Sequence, residues 1–254
     1  MPTALVTGAS AGLGRALATA LVAEGWRVIM TARDAERLHA VAQSLPGPGS
    51  VTAIAGDVAD PAHRAELVSR ITRLGALDLL VNNASTLGPT PLRPLADLSP
   101  AEVATTLNTN ATAPFALTAA LLPQLTAAAG VVIGISSDAA VEHYPSWGAY
   151  GGSKAALDHL MLTFGVENPD IACYAIDPGD MRTEMQQAAF PGEDLSDRRD
   201  PTEVAPAVLH LVTIRPPSGR YRAWDWFPPG ADDIAADPDT ITEATVVQPT
   251  GGTS

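Results

Sequence analysis

"TALVTGASAGLGRALATALVAEG", Thr3 to Gly25, decides the fold. Its first half is a short, apolar, β-branched run that reads as a strand. Its second half places Leu13, Leu17, Ala20 and Leu21 at helical spacing, and Gly25 closes the segment. The two halves are joined by "TGASAGLG", Thr7 to Gly14, a turn with three glycines. A strand that passes through such a turn straight into a helix opens a βα unit.

The same alternation continues outward along the chain. "WRVIMTA" from Trp26, "SVTAIAGDV" from Ser50, "LDLLVNNA" from Leu77, "GVVIGISS" from Gly130 and "DIACYAIDPG" from Asp170 read as further strands. "GRYRAWDWF" from Gly219 alternates like a last one. Between them lie helical patterns: one capped by Asp34, one over about 60–74, and a long one from Ser99-Pro100 to about Ala129. Another runs through Tyr150 to about Gly165, and one starts at Pro201. About seven strands separated by helices predict a parallel, doubly wound sheet, a three-layer α/β fold of Rossmann type. It forms a single domain over residues 1–227. From Pro228 the chain is rich in Pro, Gly, Asp and Thr and has no Lys or Arg, so 228–254 is expected to be a flexible acidic tail.

The totals narrow the function. Lys and Arg number 15 against 28 Asp and Glu, a formal charge of −13, which suits neither nucleic acid nor an anionic membrane. Any phosphate ligand must be held by local features. One cysteine, Cys173, and five scattered histidines make neither a disulfide nor a metal site. The N-terminus has no signal-peptide pattern. The uncharged stretch between Glu102 and Asp138 is broken by Asn108, Asn110, Pro114, Pro123, Gln124 and Gly130, which argues against a membrane span. A cytoplasmic protein is the expectation.

The first turn stands where a dinucleotide-binding turn stands. Gly8 permits the sharp bend, Gly12 and Gly14 let the backbone approach a pyrophosphate, and the helix N-terminus supplies N–H donors. The second strand ends in Ala32-Arg33 with no carboxylate at its tip. Arg33 suits the 2′-phosphate of NADP, so NADP(H) is preferred over NAD(H). Further along, "AYGGSKAALDHL" (Ala149 to Leu160) holds Lys154, the only lysine in the chain, one helical turn after Tyr150. An ammonium there favours the phenolate and tunes a phenol toward acid–base work. Ser137 ends the fifth strand, at the edge where open α/β sheets bind ligands.

On these motifs the chain resembles a classical short-chain dehydrogenase/reductase. The matching positions are Thr7-Gly8-x3-Gly12-x-Gly14, Asp57-Val58, Asn82-Asn83-Ala84, Asn110, Ser137, Tyr150-x3-Lys154 and Pro178-Gly179-x3-Thr183, in the family's order over residues 3–227. The resemblance implies a catalytic set of Asn110, Ser137, Tyr150 and Lys154. Tyr150 exchanges a proton with the substrate oxygen and Ser137 steadies that oxygen. Lys154 lowers the pKa of the tyrosine and binds the nicotinamide ribose, and Asn110 holds a water. It implies a cofactor cradle of Gly8, Ser10, Gly12, Leu13 and Gly14, with Asp57 and Val58 at the adenine and Asn83 and Ala84 at its ribose side. Pro178, Gly179, Met181 and Thr183 would cover the nicotinamide. Ser85 and Asp177 depart from the family pattern, which has a glycine and a neutral residue there.

A narrower similarity, to the sepiapterin reductase and benzil reductase subgroup, rests on Trp147, the "ENPDI" turn and Thr183-x-Met185-Gln186. It implies NADPH-dependent reduction of an α-dicarbonyl or aryl ketone, with Trp147 beside Ser137 and Tyr150 at the substrate and Tyr144 adding to an aromatic wall. Residues 184–200 would form a substrate lid. The family also implies a homodimer or homotetramer through the helices over 100–129 and 147–165. An NAD-linked secondary alcohol dehydrogenase and a non-catalytic dinucleotide-binding interaction protein remain as alternatives.

Overall fold

A computed structural model describes residues 1–227. The expected tail, 228–254, lies outside the described residues. Seven strands, β1 (Thr3–Thr7), β2 (Arg27–Ala32), β3 (Ser50–Ala55), β4 (Leu79–Asn82), β5 (Val131–Ile135), β6 (Ala172–Asp177) and β7 (Gly219–Arg222), form one sheet in the order β3-β2-β1-β4-β5-β6-β7. Every neighbouring pair is parallel. The order reverses between β1 and β4, where Leu5 pairs with Ile29 on one side and with Leu80 on the other. A crevice opens at the carboxyl ends of the strands at such a switch point.

Both faces of the sheet are covered. On one side lie α1 (Gly12–Ala23), α2 (Ala35–Ser44) and α8 (Pro201–Ile214), whose Leu17, Leu21, Leu38 and Val208 pack on Val6, Val28 and Ile133. On the other lie α3 (Pro61–Thr72), α5 (Ala113–Ala127) and α6 (Gly148–Glu167), whose Leu67, Leu121, Leu157 and Met161 pack on Leu5, Leu80 and Val132. Alternate residues of each strand therefore serve opposite layers, which is why the strands read as continuous apolar runs.

The helix starts follow their capping chemistry. The Asp34 carboxylate accepts from the Arg37 N–H, and Asp60 caps α3. Ser99 and Asp200 open α4 (Pro100–Leu107) and α8 with full capping boxes. The N-terminus of α1 is different: Ala11 precedes it and offers no side-chain cap, so its first N–H groups are left for another acceptor.

Two elements depart from expectation. The long helix expected from Pro100 to Ala129 is broken by a π turn at Asn108–Thr112, which separates α4 from α5 and carries Asn110. Periodicity alone does not reveal one inserted residue in a helical ladder. The last strand is only Gly219–Arg222. Ala223–Trp226 turn into a 3-10 segment instead, with Trp226 edge-on against Tyr221 at 5.3 Å.

Candidate active site

At the carboxyl edge of the sheet lies a cleft of about 850 Å³. Its first wall is the turn between β1 and α1. Gly8 and Gly12 hold φ of +65° and +50°, the left-handed region that glycine enters without strain. Gly8, Ser10, Gly12 and Leu13 face the cleft. Gly14 does not. A Cβ at Gly14 would fall 2.4 Å from both the Gly8 carbonyl and Asn83 Nδ2, so this glycine serves the contact of helix with turn.

Asn83 pins the turn from below. Its Nδ2 donates to the carbonyls of Thr7 and Gly8, at 2.8 and 3.2 Å. Thr7 Oγ1 accepts from the backbone of Asn83 and Ala84 and donates to the Val81 carbonyl. Asn83 and Ala84 thus line the cleft while locking β4 to the glycine turn. Beside them the Ser85 hydroxyl is buried, lines the cleft and has no hydrogen-bond partner.

One end of the cleft is lined by Arg33, Asp57 and Val58. Arg33 is exposed at the tip of β2 and makes no ion pair among the described residues, Asp34 being occupied as a helix cap. Asp57 Oδ1 accepts from the Ala59 N–H at 2.8 Å, which fixes the loop. Arg37, one turn after Arg33, also lines the cleft, and its guanidinium grips Glu184 through two bonds of 2.7 and 2.6 Å. Sequence reading passed over Arg37, although its i+4 spacing from Arg33 was the available signal.

The opposite end gathers Ser137, Trp147, Tyr150 and Lys154. Lys154, 2% exposed, donates from Nζ to the Ile135 carbonyl at 2.6 Å and lies 5.5 Å from the Tyr150 ring centroid. Burial lowers its pKa to about 8, with the Asp158 carboxylate acting in the opposite sense. Tyr150, 8% exposed, is driven well above the ordinary phenol value. Burial is the chief cause; a hydrogen bond with Ser137 opposes it, and the carboxylates of Asp177, Asp138 and Asp180 add to it. The net lowering expected from the lysine is not found; burial raises the phenol instead. The phenol is held protonated.

Ser137 Oγ donates to Asp138 Oδ1 at 2.9 Å and accepts from the Ala139 N–H at 3.2 Å. Asp138 also accepts from the Tyr144 hydroxyl, a residue pairing that the sequence did not signal. Asn110 does not reach into the cleft. Its Oδ1 accepts from the Thr86 N–H, and its Nδ2 donates to the Thr86 carbonyl and to Ser153 Oγ, which in turn donates to the Tyr150 carbonyl at 2.6 Å. Both amide protons of Asn110 are committed to protein acceptors, and through Ser153 it braces the start of α6.

Trp147 meets Tyr150 edge-on at 5.6 Å and Phe190 at 5.9 Å. Phe190 belongs to the segment 184–200, which contributes Glu184, Met185, Gln186 and Arg198 to the cleft wall as well. That segment opens with α7 (Glu184–Ala189), capped by Thr183, and ion pairs tie its surroundings: Arg37 to Glu184, Arg198 to Asp180 and Arg182 to Asp200. Pro178, Gly179, Met181 and Thr183 complete the wall after β6. Gly151 of α6 passes so close to Ala139 that a Cβ would sit 2.4 Å from its carbonyl oxygen, whereas Gly152 has nothing within 4 Å. Close approach explains the first of these glycines and not the second.

Comparison with known proteins fits this geometry. A family model described as short chain dehydrogenase matches residues 2–194. Serine 3-dehydrogenase of Rhizobium radiobacter is 39% identical over 191 residues, 72% of this chain and 73% of that protein. Among solved structures, a short chain dehydrogenase from Shigella flexneri complexed with NADP superposes with a TM-score of 0.82 at 30% identity, covering 88% of this chain and 97% of that one. An alcohol dehydrogenase from Thermococcus sibiricus complexed with 5-hydroxy-NADP gives 0.79 at 28%, covering 87% and 95%.

Proposed function

Since the chain belongs to the short-chain dehydrogenase family, and so to the NAD(P)-dependent oxidoreductases, we propose that it reduces a ketone or α-dicarbonyl of a small molecule to an alcohol with NADPH. The observation that carries this reading is a buried, protonated Tyr150 beside Ser137 and Lys154 on a cleft large enough for a dinucleotide and a substrate. A phenol held in its acid form is suited to give a proton to a carbonyl oxygen.

The residues present fit the cofactor. The uncapped N-terminus of α1 and the Ser85 hydroxyl, which has no hydrogen-bond partner among the described residues, are polar groups beside the cleft. Gly8, Ser10, Gly12 and Leu13 would hold the pyrophosphate. Arg33, which makes no ion pair among the described residues, would hold the 2′-phosphate, which separates this reading from the NAD-linked alternative. Asp57 and Val58 would meet the adenine, and Asn83 and Ala84 its ribose. Pro178, Gly179, Met181 and Thr183 would cover the nicotinamide, which supplies the hydride when bound.

The chain's own residues supply the proton and the alignment. Tyr150 Oη donates to the substrate oxygen, and Ser137 Oγ holds that oxygen in line. The Lys154 ammonium favours the phenolate left after the transfer. Asn110 acts through Ser153 on the Tyr150 backbone and keeps the phenol in register. The edge-on packing of Trp147 against Tyr150, with Tyr144 nearby on the same wall, supports a flat aryl ketone or α-dicarbonyl substrate. Residues 184–200 act as a lid that the Arg37–Glu184 pair fastens across the cleft. Phe115, 44% exposed on α5, and Val166, 82% exposed on α6, support homo-oligomer formation through these helices.

The test is NADPH consumption across a panel of diketones, aryl ketones, sugars and acyl-thioester ketones. The reading predicts turnover concentrated on the diketones and aryl ketones. No turnover on any of them, or a preference for NADH, would overturn it.

A further inference from the structure

Arg220 reaches beneath the site from β7 and makes three contacts there. Its Nε donates to Asp158 Oδ2 on α6 at 3.0 Å, and its Nη2 donates to the backbone carbonyl of Ser137 at 2.9 Å. The same Nη2 lies 3.4 Å from Asp177 Oδ2 at the end of β6. Both carboxylates are nearly sealed from solvent, Asp158 at 7% and Asp177 at 5% exposure. Asp158 Oδ1 is buried without a hydrogen-bond partner among the described residues; Arg220 holds the other oxygen, and Ser136 also stabilises this carboxylate. Burial pushes both carboxyls above the usual range, and Arg220 pulls each back.

Asp158 stands one helical turn after Lys154 and supports its ammonium. Asp177 lines the same cleft as Tyr150, and its charge raises the phenol's pKa. Two cations and two carboxylates therefore form a balanced set under the catalytic groups, and the chain segment carrying Ser137 is attached to one of the cations.

We propose that Arg220 is a positioning residue of the active site: it fixes Ser137 by the main-chain carbonyl and cancels the field of Asp177 and Asp158 at Tyr150 and Lys154. The proposal rests on the catalytic reading given above. It accounts for the carboxylate that precedes Pro178, where the family pattern has a neutral residue: Asp177 is tolerated because β7 brings an arginine to it. The other charges facing Tyr150 do not depend on Arg220. Asp138, on the turn after β5, accepts from Ser137 and Tyr144, and Asp180, on the loop after β6, is paired with Arg198. Lys154, on the helix of Tyr150 itself, is held by Ile135.

The experiment is the pH dependence of kcat for alcohol oxidation with NADP⁺, whose nicotinamide cation, when bound, would favour the phenolate and bring the Tyr150 titration down into the accessible range, so that the rate rises with pH as Tyr150 loses its proton. At that limb both carboxylates are ionised, so removing the guanidinium leaves their charge uncompensated and raises the phenol pKa. Arg220→Met should therefore move the limb up by about half a pH unit or more and lower kcat. Arg220→Lys, which keeps the charge but not the fork, should leave the limb in place and still lower kcat. Asp177→Asn should move the limb down, and combining it with Arg220→Met should bring the limb back toward the wild type. A merely structural arginine would lower the melting temperature and leave the limb of every variant unmoved, which would overturn the proposal. If Arg220→Met does not fold, Asp177→Asn and Arg220→Lys decide the matter by the same criterion. A wild type whose limb survives in Tyr150→Phe would overturn the catalytic reading itself, and this proposal with it.

Discussion

Replacing Gly152 by alanine should stabilise the protein, and replacing its neighbour Gly151 should do the reverse. Both lie in the first turn of α6, and neither has a positive φ. Gly152 is exposed, and a Cβ there meets nothing within 4 Å. Alanine at that position gains the full propensity difference, about 0.8–1 kcal/mol. A Cβ at Gly151 would stand 2.4 Å from the Ala139 carbonyl oxygen, an ångström inside ordinary contact, and the obstacle is backbone that cannot rotate away. Overpacking of this kind costs about 1–3 kcal/mol, so the propensity gain is lost and the net change is a destabilisation of up to about 2 kcal/mol. The two variants should thus differ by about 1–3 kcal/mol, which separates their melting temperatures by several degrees in a chain of this size. Urea unfolding at constant m-value measures the difference. A second readout follows from the site. Ala139 N–H donates to Ser137 Oγ, so a displaced Ala139 turn moves Ser137, and Gly151→Ala should lose turnover while Gly152→Ala keeps it. If Gly151→Ala is as stable and active as Gly152→Ala, the close approach of α6 to this turn is not the reason for the glycine.

Arg33→Ala should weaken NADPH by about 10-fold to 100-fold, the worth of a charge-assisted contact, and leave NADH nearly unchanged; equal losses in a fluorescence titration would refute the 2′-phosphate role. Lys154 gives a pH prediction. Its folded pKa of about 8 lies below the unfolded value of ~10.4, so the unfolded chain binds more protons between the two and stability rises with pH there. Relative to Lys154→Met, the wild type should gain about 2 kcal/mol of unfolding free energy between pH 8 and pH 10, read from urea midpoints; an unchanged difference would mean that the ammonium is not desolvated.

Most of the fold was legible because strand and helix periods differ and the caps are spelled out. Asp34, Ser99 and Pro201 each mark a helix start that the structure keeps. The π turn at Asn108–Thr112 was not legible, since one extra residue in a helical ladder leaves no mark on the apolar period. The end of β7 was missed because alternation through Trp224 and Trp226 mimics a strand while their rings serve a 3-10 turn. In the site, Ser137, Tyr150 and Lys154 could be placed from spacing and strand ends alone. Arg37 and Arg220 could not, because their partners lie 147 and 62 residues away and only the folded chain brings them into contact; Asp138 could not, because the order Ser137-Asp138 does not show that the two side chains bond. Gly14 packs against Gly8 and Asn83; a glycine needed for such packing and one needed beside a pyrophosphate look alike in a sequence. The direction of the Tyr150 shift was not legible either, since a sequence shows the neighbouring lysine but not the burial that raises the phenol.

The central claim is that Tyr150 delivers the proton that completes carbonyl reduction. Single-turnover oxidation of bound NADPH by a ketone substrate, compared between the wild type and Tyr150→Phe, tests it most directly. The account predicts a rate lower by at least about 100-fold, the smaller end of what general-acid catalysis supplies, with NADPH affinity nearly unchanged. A variant that turns over at close to the wild-type rate would contradict it.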